Sequence, residues 1–200
     1  MSKFGCRVVG VEPVPELFEK LPVSDCLTVY RLAITGDGSP AAMYVEEDGP
    51  AANSESATID ARLRRPEAEA IAVDGITLEQ LLDRHGLDRV SLAKVDIEGA
   101  ETAMLDTAST RTLRRVDQFT VEFHDFLNPA LTQSVERTKR RLRSAGFAQF
   151  VFSRGNTDVL FVNTERIPLT FARRLAMVFW YKYRRGVGRM LARHRIAGKL

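Results

Sequence analysis

The sequence predicts an α/β fold, and three observations carry that expectation. Short runs of β-type residues alternate with helical patterns along most of the chain, as in sheets covered by helices. The final two β-like runs are separated only by a turn-like link and read as an antiparallel pair. With 44% hydrophobic and 28% charged residues, the 200-residue chain has a globular composition that excludes disordered, collagen-like and coiled-coil classes. That length suits one domain with a short appendage.

The elements follow in order. Arg7–Val11 is an apolar run stopped by Glu12-Pro13, and Pro15–Leu21 suits a short helix with proline near its start. Leu27–Ile34 alternates like a strand, and residues 36–60 are turn-rich with a hairpin strand at Met43–Val45. Thr77 opens a helix: Thr77 and Gln80 fit a capping box, Ile76 and Leu81 a hydrophobic staple, and Gly86 the stop. Val90–Ile97 has few polar interruptions, which predicts a strand buried on both faces of a parallel sheet. Gly99-Ala100 leads into a helix carrying Ala103, Met104 and Leu105. Phe119, Val121 and Phe123 alternate as a strand, and Asn128-Pro129 caps a helix burying Leu131, Val135 and Leu142 before Gly146. Phe147–Phe152 and Val159–Val162 form the terminal pair.

Ligands of α/β sheets sit beyond the carboxyl ends of the strands, which singles out Glu12-Pro13, Asp96–Glu98 and Glu122–His124. Glu12 can accept hydrogen bonds from the hydroxyls of a ribose, or it can cap the Pro15 helix. Asp96 and Glu98 share strand parity with Lys94. With Glu101 they put three carboxylates within six residues, which raises a pKa or calls for a cation. Against this, Glu98 and Glu101 could simply serve the start of the next helix. Glu122 and His124 bring a carboxylate beside an imidazole, a pairing that suits a general base near neutral pH, although a lone histidine is often structural. His85 and His194 read as surface residues. Cys6 and Cys26 form neither a disulfide framework nor a metal spacing, no metal site is assigned, and the chain reads as reduced and cytoplasmic. The start MSKFGCRVV lacks a signal-peptide pattern, and no run approaches the ~20 apolar residues of a membrane span.

VGVEPVPELFEKL, VDGITLEQLL, LAKVDIEGAETAML and TVEFHDF, in that order and spacing, resemble the FkbM-type methyltransferase family over residues 5–165. The resemblance implies a Rossmann-like class I fold, S-adenosylmethionine as cofactor, and O-methylation of a hydroxyl on a sugar, glycan or secondary metabolite. It carries over Glu12, with Pro13, to the cofactor ribose, and Ala33-Ile34 to the adenine. Asp96 falls near the methyl group and acceptor, with Glu98, Glu122 and His124 around the acceptor cleft; His124 and Asp96 are both candidates for the base. The family's first strand, glycine-rich loop and helix have no counterpart in this sequence. The chain therefore reads as an N-terminally incomplete methyltransferase domain over 1–165 with impaired activity. The sheet position this leaves open makes an oligomer conceivable. The alternative is a non-catalytic, degenerate methyltransferase that binds a partner or membrane surface. A nicotinamide-dependent oxidoreductase ranks third, because the dinucleotide fingerprint is absent.

Residues 166–200 form a basic amphipathic tail. They hold 10 Lys and Arg and no acid, whereas residues 1–165 hold 19 Lys and Arg against 26 acids. An acidic body makes nucleic acid an unfavoured partner. Phe171, Leu175, Val178, Phe179 and Tyr183 recur at helical spacing, and three readings stay open: peripheral association with the inner membrane surface, a helix docked on the acidic body, or single-stranded nucleic acid.

Overall fold

A computed structural model describes residues 5–45, 57–151 and 158–177. Strands β1 (Val8–Val11) and β2 (Leu27–Tyr30) run parallel, Val8 opposite Leu27 and Val11 opposite Tyr30. Helix α1 (Pro15–Glu19) lies between them with Pro15 in its first turn, where a missing N–H costs nothing. The expected strand Leu27–Ile34 is two strands. The Leu32 N–H bonds the Tyr30 carbonyl at 3.0 Å, a tight turn that sends β3 (Ala33–Ile34) to a different partner. That partner is β6 (Gly75–Ile76), parallel to β3. The expected strand at Met43–Val45 is β4 (Ala41–Val45), and it pairs antiparallel with β5 (Glu69–Val73).

Helix α2 (Leu78–Arg84) begins as its sequence dictates. The Gln80 N–H bonds Thr77 Oγ1 at 3.1 Å, and the Thr77 N–H bonds Gln80 Oε1 at 2.8 Å. Gly86 takes the left-handed φ of +59° that ends the helix. Thr77→Ala is expected to cost about 1 kcal/mol in urea denaturation, because it leaves the Gln80 N–H without its acceptor.

A four-stranded sheet has the order β7-β8-β10-β9, built from β7 (Ala93–Val95), β8 (Gln118–Glu122), β9 (Phe147–Val151) and β10 (Asp158–Asn163). β7 and β8 are parallel, while β10 is antiparallel to both β8 and β9. Helices α3 (Glu101–Thr107), α4 (Thr110–Arg114) and α5 (Thr132–Ser144) complete the order. Asn128 caps the single turn of 3₁₀ helix at Pro129–Leu131 that leads into α5.

The strand expected over Val90–Ile97 is shorter and less buried than its composition suggests. Only Ala93–Val95 pairs, Lys94 is exposed and Leu92 is 55% exposed, because β7 hydrogen-bonds on one side alone among the described residues. β1 likewise pairs only with β2, and no described strand joins β1 to β7. Side-chain packing links the two sheets instead. Val9, Val11 and Tyr30 pack against the cluster containing Val95, Leu105, Phe119, Val121 and Phe161. His85, expected on the surface, is half-buried against the Tyr30 ring, with centroids 5.5 Å apart. His194 and the link after Val151 lie outside the described residues.

Candidate functional site

The carboxyl ends of four strands open into one cavity of about 420 Å³. The chain after β1 supplies Glu12 and Pro13, β3 supplies Ala33 and Ile34, and the turn after β7 supplies Asp96 and Glu98. Glu122 ends β8, and His124 follows two residues later. All eight residues singled out in the sequence therefore line the same space. Val14, Met43, Ala57 and Ile59 add apolar wall.

Glu12 is half-buried, and its Oε1 accepts the Val14 N–H at 2.9 Å, so one oxygen caps the start of α1. Burial pushes its carboxyl up, and the Val14 hydrogen bond only partly offsets that, so Glu12 holds its proton to higher pH than an ordinary glutamate.

The turn after β7 is built around two left-handed residues. Glu98 has φ +50°, a conformation that strains a side chain with a Cβ, and Gly99 follows at φ +101°. The Thr58 hydroxyl donates to the Glu98 carbonyl and ties the turn to the opposite wall. A methyl group on Gly99 would sit 2.4 Å from Leu63 Cδ1, so that side chain would have to shift, and the positive φ itself favours glycine. Asp96 is held by Lys94, Nζ to Oδ2 at 2.5 Å.

His124 is 5% exposed, and its ring is fixed from both sides. Nδ1 lies 2.8 Å from Glu101 Oε1, and a carboxylate only accepts, so Nδ1 carries the hydrogen. Nε2 faces Glu98 Oε2 at 3.2 Å and Asp96 Oδ1 at 3.9 Å. Glu101 is 2% exposed, and its Oε1 also accepts the Gly99 N–H at 2.9 Å. Burial on its own would pull the imidazolium down. The hydrogen bond to Glu101 and its charge, with those of Glu98 and Asp96, outweigh burial and hold His124 above the usual histidine range. Burial pushes Glu98 up. The His124 imidazolium pulls it back, while Asp96, Glu101 and Glu122 push it further up.

Asp96, Glu98 and His124 each present a donor atom within 4.8 Å of the others, a mixed oxygen and nitrogen set that a divalent cation could also occupy. A proton on Nε2 answers the same two carboxylates.

Glu101 is the residue that reading the sequence undervalued, as a helix-start acid. Its position carried a signal: Met104 and Leu105 form the buried face of α3, and Glu101 lies one turn ahead on that same face. A carboxylate on a core face needs a buried partner, and His124 is that partner.

The domain is mixed α/β, and its concave acidic site lies at the ends of parallel strands, where sheets of this kind take their ligands. Residues 1–148 match the Methyltransferase FkbM domain, and the chain belongs to that methyltransferase family. Neither curated proteins nor solved structures give a match to the chain. No helix among the described residues is long and apolar enough to cross a membrane.

Proposed function

We propose that this chain is an S-adenosylmethionine-dependent O-methyltransferase that acts on a hydroxyl of a sugar, glycan or secondary metabolite. The observation that carries the reading is the single cavity with Glu12 on one wall and the Glu98–His124 pair on another. The residues present suit the ribose, base and sulfonium of the cofactor: Glu12 commits only one oxygen to α1, Ala33 and Ile34 form a buried apolar wall, and carboxylates line the same cavity, while the sequence has no counterpart of the family's glycine-rich loop. The cofactor, when bound, would supply an electrophilic methyl group and leave as the thioether S-adenosylhomocysteine.

The chain's own residues do the rest. The free oxygen of Glu12 receives the ribose hydroxyls, and Ala33 and Ile34 pack on the base. Asp96, Glu98 and Glu122 would orient the acceptor hydroxyl, which lowers the barrier by positioning. His124 Nε2 would take the proton that this hydroxyl gives up. Glu101 holds Nδ1–H, fixes the tautomer and stabilises the imidazolium that results. Because neutral His124 is the reactive form and its pKa is raised, the rate climbs with pH to a plateau above the usual histidine range.

Calorimetric titration of the full chain with S-adenosylhomocysteine tests the reading. Micromolar binding would show that the chain still forms a cofactor site and would open an acceptor screen; absence of binding overturns the cofactor assignment for this chain. Glu101→Gln removes a negative charge that raises the imidazolium, so the rate profile should move to lower pH while the plateau falls. An unmoved profile would show Glu101 to be structural only.

A further inference from the structure

We infer that residues 166–200 bind the surface of an anionic lipid membrane. Within the described part of this tail, residues 171–177 are helical and residues 171–176 are exposed, so this stretch does not pack on the acidic body. Phe171 is 78% exposed and Leu175 45% exposed, and their i, i+4 spacing puts them on one face. Arg173 and Arg174 lie beside them. By sequence, Val178, Phe179 and Tyr183 keep the helical spacing, and Lys182, Arg184 and Arg185 are interleaved.

An apolar face flanked by cations, with 10 basic residues and no acid in 35 positions, is complementary to a lipid interface that is apolar below and anionic above. Leu175 favours lipid over nucleic acid, because an aliphatic side chain on the same face as Phe171 offers no surface for base stacking. The inference stands apart from the methyltransferase reading, since no described residue of the tail lines the cavity.

The chain has a single tryptophan, Trp180, and it lies in this segment, so it reports on the tail alone. The full chain is titrated with vesicles of phosphatidylcholine containing about one-third phosphatidylglycerol, and with phosphatidylcholine alone. Emission should shift to shorter wavelength, and the protein should float with the anionic vesicles only. Binding should fade at about 0.5 M salt, where charges are screened within a few ångströms. Arg173→Ala with Arg174→Ala should weaken partitioning about 30-fold, at about 5-fold for each cation. Phe171→Ser with Leu175→Ser should weaken it while leaving the circular dichroism of the body unchanged. The inference is overturned by equal binding to neutral vesicles, by variants that partition like the parent, or by no response to vesicles. A Trp180 response to oligothymidylate in place of vesicles would reassign the tail to nucleic acid.

Discussion

Replacing His124 with alanine should lower kcat by about a hundredfold to ten-thousandfold, the range that a positioned general base contributes. Binding of S-adenosylhomocysteine should change little, because the proposed reading gives its recognition to Glu12, Ala33 and Ile34 rather than to His124. The imidazole also partners Glu101, whose carboxylate would otherwise be buried with only the Gly99 N–H to satisfy it. His124→Ala therefore carries a stability cost, and His124→Gln is the better companion variant, since its amide can still donate to Glu101. Both should lose turnover, and only the alanine variant should show a large drop in melting temperature. Substantial turnover by a folded His124→Gln protein would remove His124 as the base and leave Asp96.

The same residue links stability and rate in opposite directions. Its folded pKa is raised, so the stability it contributes is fully present below the unfolded histidine value and is lost as pH rises through the folded one. With His124 as the base, turnover should be fastest at a pH where this contribution has gone. The turn that presents Glu98 to it is itself a strained backbone, and a site of this kind trades stability for function in two places at once.

The legibility of the fold in the sequence was uneven, and the reasons are physical. Where local chemistry decides, residues announced their elements: the reciprocal Thr77–Gln80 bonds, Gly86 and Gly146 at positive φ, and the alternation of Phe119, Val121 and Phe123 all appear in the structure. Where pairing decides, the sequence was mute. Glu69–Val73 has two alanines and no turn marker, and it is a strand only because β4 lies beside it. Val90–Ile97 has the composition of a two-sided buried strand, yet hydrogen bonding to β8 alone limits β7 to three residues. The site was legible because strand ends are where acids accumulate in α/β sheets, and Glu12, Asp96, Glu98, Glu122 and His124 do meet in one cavity. Glu101 was not, because a helix-start acid and a buried partner of histidine look alike until the face of α3 is known.

Glu12→Gln is expected to weaken S-adenosylhomocysteine binding by about 10- to 100-fold, the difference between hydrogen bonds to a charged and to a neutral acceptor. The substitution keeps an oxygen for the Val14 N–H, so the cap on α1 survives. Its effect on stability should run the other way. A glutamate whose folded pKa is raised by burial favours folding most when protonated, and it loses that contribution as pH rises above the ordinary carboxylate range. At neutral pH the glutamine variant should therefore be as stable as the parent or slightly more so in urea, while binding is impaired. Binding by the parent should also decline on acidification at a pH above that of an ordinary glutamate, and this decline should vanish in Glu12→Gln. A polar group that costs stability and is needed for ligand is the signature of a binding residue. Glu12→Gln protein that bound like the parent at every pH would reduce Glu12 to the cap of α1, and the ribose would need another acceptor in the cavity.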